Sequence, residues 1–193
     1  MFRRFNAAAP VVGLCLSLTL AGPAGAQRVL PNHEWCERDD EGSREERYCE
    51  VREFTLEARD LVRVDAEPNG GIRVEAWDRN EIGLLAKVQA WSRREDPRGI
   101  VNRVEISTGG TILAEGPRME RREGWSASFR LMVPRGSNLD LESMNGGIDI
   151  FGVRGKLDFS TMNGGITLED VGGDVRGKTT NGGLTVSLSG DRW

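Results

Sequence analysis

The sequence is short of the side chains that most chemistry needs. Its 193 residues include one histidine, three cysteines and one tyrosine. His33 lies in a polar stretch and reads as exposed, and no Ser-His-Asp set assembles around it. Zinc would need two ligands beyond Cys36 and Cys49, which one histidine does not supply. Lysine is scarce as well, three against 23 arginines. No block of basic residues is dense enough to neutralise a phosphate backbone, and the formal net charge is -4, so nucleic-acid binding is excluded. Beyond residue 26 no apolar run approaches the ~20 residues of a spanning helix. No window of a dozen residues holds a helical apolar stripe.

The first 26 residues read as a signal peptide: "MFRRF" is the basic region, "VVGLCLSLTLAG" the apolar run and "AGA", ending at Ala26, the cleavage signal. A lipoprotein reading would acylate Cys15, but Leu14 stands where a small residue is wanted. Cleavage leaves an exported chain starting at Gln27, without a transmembrane segment, destined for the periplasm, the cell envelope or the exterior. In an oxidising compartment Cys36 and Cys49 read as a structural disulfide within a charged N-terminal arm, residues 27 to 53. Closing so short a loop is worth about 3 kcal/mol on the chain-entropy estimate.

From Phe54 onward the apolar period is two. "FTLEA", "LVRVDAE", "GIRVEAW", "LLAKVQAWS", "NRVEIST" and "WSASFRLMV" alternate between turn-rich breaks, which predicts an all-β domain over 54 to 193. Within it, three 18-residue units follow one another at 139 to 156, 157 to 174 and 175 to 192, with Leu139, Leu157 and Val175 in phase and Ile148, Ile166 and Leu184 likewise. A fixed period with apolar positions in phase is the signature of stacked coils, and a β-solenoid encloses its own core where a meander would need a covering layer. Asn69-Gly70-Gly71 and Thr108-Gly109-Gly110 lie close to two periods apart, and so do the latter and Asn145; this predicts looser coils upstream.

The Asn-Gly-Gly triplets at Asn69, Gly70, Gly71, at Asn145, Gly146, Gly147, at Asn163, Gly164, Gly165 and at Asn181, Gly182, Gly183 invite a phosphate-loop reading. Each runs straight into a strand, with no helix start and no Walker or Rossmann pattern, and no cofactor or metal is expected there. They read as structural corners needing positive φ, with the asparagines stacked as a ladder and Met144 and Ile148 directed inward. Asp140, Asp158 and Arg176 form one outward column and Glu142, Ser160 and Lys178 another, which reads as a solvated charge ladder. The rival reading makes Asp140 and Asp158 the acid/base couple of a carbohydrate-active β-helix enzyme. Trp77 and Trp91 share faces with charged residues, as a sugar-stacking or protein-contact surface would, or as an aromatic cover for the sheet.

"PNGGIRVEAWDRNE", "SFRLMVPRGSNLDLESMNGGIDI" and "TTNGGLTV" together resemble the adhesin-like DUF4097 family of bacterial envelope proteins, over about residues 54 to 193. The resemblance implies a β-solenoid, exported or membrane-tethered, with no agreed catalytic residues to carry over. The resulting expectation is a non-enzymatic adhesin-like or interaction module whose partner is an envelope protein or a glycan. An envelope-stress sensing or structural component is a further alternative. The open solenoid end offers a route to self-association unless Trp193 covers it. Gly164→Val should strain its corner and lower stability by more than ~1 kcal/mol in thermal unfolding.

Overall fold

The computed structural model describes residues 27–31, 33–37, 46–120 and 123–188. The signal peptide read at 1 to 26 and Trp193 lie outside the described residues. β1 (Arg28–Leu30) and α1 (Glu34–Glu37) precede β2 (Glu46–Glu57), which runs straight through the boundary expected between 53 and 54. Then come β3 (Leu61–Asp65), β4 (Ile72–Trp77), β5 (Glu81–Ser92), α2 (Pro97–Val101), β6 (Glu105–Ser107), β7 (Ile112–Glu115) and β8 (Gly124–Pro134). The remaining strands are β9 (Asn138–Ser143), β10 (Ile148–Phe151), β11 (Arg154–Asn163), β12 (Ile166–Asn181) and β13 (Leu184–Leu188). The all-β expectation holds, and the thirteen strands of the described residues join one large sheet of mixed direction.

The 18-residue interval is a pairing register. Ile148 pairs with Ile166 and Ile166 with Leu184, while Leu139 pairs with Leu157 and Leu157 with Val175, all in parallel. One parallel run is β8, β4, β10, the first part of β12 and β13; the other is β7, β3, β9, β11 and the second part of β12. β12 belongs to both because it turns a corner at Asp170 (φ 54) and Gly173 (φ 99). Inward residues of the two runs share one core: Ile72, Ile148 and Ile166 from the first, Val62, Leu139 and Leu157 from the second.

The upstream part departs from looser coils in sequence order. The β3/β4 level lies between the β7/β8 level and the β9/β10 level, so the chain leaves the stack after Trp77, builds outward, and returns on the other side at Asn138. Asn69 and Asn145, 76 residues apart, are therefore direct neighbours. Thr108-Gly109-Gly110 is no coil corner but the turn of the antiparallel β6/β7 hairpin, and a Cβ on either glycine would meet nothing within 4 Å. Beyond β8 the pairing becomes antiparallel, with β5 against β8 and β2 against β5 over its full length. α2 covers this end: Asp96 caps it by accepting from the Arg98 N–H, and Ile100 and Val101 pack on Val88, Ala90 and Val104. The buried Arg52 ties α2 down, donating to the carbonyls of Val101 (2.8 Å) and Val104 while paired at 2.8 Å with the buried Glu50.

The corners also need glycine for a different reason from the one expected. None of the triplet glycines has a φ in the left-handed region. A Cβ on the first glycine of each pair would instead collide with the backbone of the level before it. It would lie 1.8 Å from the Ala127 oxygen at Gly70, 2.0 Å from the Gly70 oxygen at Gly146, 2.1 Å from the Gly146 oxygen at Gly164 and 2.0 Å from the Gly164 oxygen at Gly182. The second glycines are less crowded: the nearest atom would be 3.3 Å away at Gly71 and Gly147 and 3.7 Å away at Gly165, and at Gly183 nothing lies within 4 Å. Three of the four crowded carbonyls, those of Gly70, Gly146 and Gly164, accept from a hydroxyl two residues before the next asparagine. Ser143 Oγ donates to the Gly70 oxygen (2.8 Å), Thr161 Oγ1 to that of Gly146 (2.9 Å) and Thr179 Oγ1 to that of Gly164 (2.8 Å). These hydroxyl residues take the inward place expected of the methionines; Met144 is only half-buried and Met162 is 49% exposed. Gly164→Ala should therefore destabilise by about 2–4 kcal/mol in denaturant unfolding, while Gly165→Ala changes stability by under ~1 kcal/mol. Equal effects at the two positions would refute the close-approach account.

Candidate functional site

The chain offers strand faces, and their side chains stand in straight columns because the levels are in register. On the outer face of the run through β3, β9, β11 and β12, the column Arg63, Asp140, Asp158, Arg176 lies beside Asp65, Glu142, Ser160, Lys178. A shallow groove of about 350 Å³ runs between the columns over the last three levels. Asp140 and Asp158 both line it, as the sequence placed them. Each has its own cation: Arg63 Nε lies 3.3 Å from Asp140 Oδ2, and Lys156 Nζ lies 3.2 Å from Asp158 Oδ2. Arg176 turns to Asp174 at 3.5 Å. Among the described residues no group of three or more His, Cys, Asp and Glu side chains is placed to hold a metal ion.

Trp77 and Trp91 both point outward and both are half-buried. Trp91 lies on Gly124 across the β5/β8 pair, where a Cβ would sit 2.2 Å from its Cζ2. Trp77 covers Gly83 in the same way, donates Nε1 to the Glu81 oxygen (2.9 Å) and carries the Arg79 guanidinium 4.9 Å from its ring centre. Each tryptophan thus fills the space left by a neighbouring glycine. The four triplets lie at successive levels, bridged by side-chain amides: Asn145 Nδ2 donates to Asn69 Oδ1 (3.1 Å), Asn163 to Asn145 (2.9 Å) and Asn181 to Asn163 (2.8 Å).

The Cys36–Cys49 disulfide fixes α1 to β2. Its neighbour Trp35 then lies across the outer face, with Arg130 3.9 Å and Lys87 5.4 Å from its ring centre. Sequence reasoning passed over Trp35, although its place beside Cys36 was the available signal. It also passed over Arg59, which donates Nη1 to the carbonyls of Thr108 (3.3 Å) and Gly110 (2.8 Å) and so holds the β6/β7 turn. Burial lowers the Arg59 pKa below its ordinary value, and its Nε and Nη2 are closed from solvent without a partner. β13 leaves Leu184, Val186 and Leu188 exposed. No described helix is long and apolar enough to cross a membrane.

No family model matches the chain, and no curated protein sequence does. Among solved structures it is similar to a candidate lipid binding protein of Parabacteroides distasonis ATCC 8503, at 12% identity and a TM-score of 0.35 over 72% of this chain. It spans 62% of that protein's length. It is similar to a candidate cell adhesion protein of Clostridium sporogenes ATCC 15579, at 6% identity and a TM-score of 0.32 over 76% of this chain and 100% of the other. A candidate adhesin of Bacteroides fragilis NCTC 9343 shares 12% identity at a TM-score of 0.27 over 72% of this chain and 94% of the other. Likenesses this weak carry no argument about what the chain does, so the site must be read from its own residues.

Exposed ion pairs contribute little to stability. Asp158→Asn should accordingly shift the unfolding free energy by under ~1 kcal/mol in urea titration, and a larger loss would mean that the column holds the levels together.

Proposed function

We propose that the chain is an exported, non-catalytic interaction module of the bacterial cell envelope, built as a β-solenoid of the adhesin-like DUF4097 type. The observation that carries this reading is the in-register parallel stacking, which sets outward side chains about 4.8 Å apart in straight columns on two extended faces. Such faces suit binding to long partners, glycan or protein, rather than enclosing a small substrate. The disulfide accords with export to an oxidising compartment. The exposed apolar row of β13 is the surface on which self-association would occur. The mature chain should be retained by envelope fractions or by immobilised envelope glycans in a pull-down. Absence of affinity for envelope, glycans and itself would remove the basis for this reading.

One observation favours a second reading, a carbohydrate-active enzyme: Asp140 and Asp158 line one groove. Their separate cation partners argue against a coupled acid/base pair. Polysaccharide cleavage that vanishes in Asp158→Asn would establish it.

A further inference from the structure

The asparagine ladder has a direction. Asn145, Asn163 and Asn181 each donate Nδ2 to the Oδ1 of the asparagine one level earlier. Asn69 is the first rung: it accepts from Asn145, and its own Nδ2 meets no acceptor among the described residues. On its other side the β8 level continues the stack without an asparagine. There the Ala127 N–H bonds to the Asn69 carbonyl (3.3 Å) and Ser128 Oγ accepts from the Gly71 N–H (3.2 Å). The ladder therefore ends in an unused amide donor.

That end borders a notch of about 460 Å³ on the outer face, with Trp91, Gln89, Ser126 and Ser128 also in its lining. Gln89 Oε1 is closed from solvent without a hydrogen-bond partner, an arrangement that costs about 1–3 kcal/mol until a donor arrives. Its terminal amide torsion is broad, and rotation about it would present the oxygen to an incoming hydroxyl. Trp91 is fixed against Gly124 and forms an aromatic wall. The one charged lining residue, Arg47, already has a partner, and no carboxylate lines the notch.

An aromatic wall, a spare amide donor, a spare amide acceptor and two serine hydroxyls match the alternating hydroxyls and C–H face of a sugar ring. We propose that this notch binds a neutral hexopyranose unit of a glycan. The proposal deepens the interaction-module reading and rests on it.

The test is titration of the full mature chain with the methyl pyranosides of glucose, galactose and mannose, and with glucuronate as the acidic arm, followed by proton-nitrogen NMR. The expected result is a saturable shift of the Trp91 indole and Gln89 side-chain amide signals with at least one neutral hexoside, leaving the Trp77 indole in place. Gln89→Ala, whose melting temperature should be no lower than that of the wild type because the unpartnered oxygen is gone, should weaken that binding about tenfold, ~1.4 kcal/mol. Trp77→Ala should not change it. No saturable shift with any neutral hexoside, unaltered affinity in Gln89→Ala, or binding of glucuronate alone would each overturn the assignment. Envelope binding without any hexoside shift would reject the notch and leave the module reading standing; hexoside binding at Trp91 without retention by envelope fractions or envelope glycans would uphold the notch and remove the envelope assignment.

Discussion

At every Asn-Gly-Gly corner the backbone of one level lies so close to the backbone of the level before it that only hydrogen fits on the first glycine. That approach lets the in-register strands on either side of each corner stay paired, and it crowds a carbonyl oxygen of the level before. A short hydroxyl side chain is the one group small enough to reach it, which is why Ser143, Thr161 and Thr179 hold an inward position that an apolar residue would fill in an ordinary alternating strand. The asparagine amides tie the outside of the same corners together. Glycine, hydroxyl and amide act as one device at the Asn145, Asn163 and Asn181 corners; at the Asn69 corner Glu67 stands in the hydroxyl's place.

A stack of parallel levels leaves backbone edges at its ends. At one end the chain continues the sheet with antiparallel strands, β5 on β8 and β2 on β5, and covers the core with α2. The buried Arg52 and Glu50 pair belongs to this cover: the guanidinium satisfies the last carbonyl of α2, at Val101, and that of Val104 beyond it, and the carboxylate neutralises it. The disulfide fixes α1 on the opposite side of the same strands, bringing Trp35 onto Arg130 and Lys87. This braced end of the sheet adjoins the notch at Trp91.

Much of the fold was legible in the sequence because the levels from Leu139 onward follow one another directly, so that period and pairing register coincide. The level order upstream was not legible. Ile72 pairs with both Phe129 and Ile148, and nothing local in the sequence says that a strand will be flanked by partners 57 and 76 positions away. The Thr108 triplet misled for a related reason, since glycine serves an open hairpin turn as readily as a crowded corner. Met144 and Met162 misled because hydrophobicity alone hides the carbonyl that favoured a hydroxyl one position earlier. The candidate site was half visible: alternation sends Gln89 and Trp91 to one face, but the meeting of that face with Asn69 is long-range.

The level order is the claim on which the rest stands, and cross-strand nuclear Overhauser contacts test it most directly. The account predicts contacts from the backbone of Ile72 to both Phe129 and Ile148, and from Ile148 onward to Ile166. Contacts that instead join β4 only to strands adjacent in sequence, with none between Ile72 and Ile148, would contradict it.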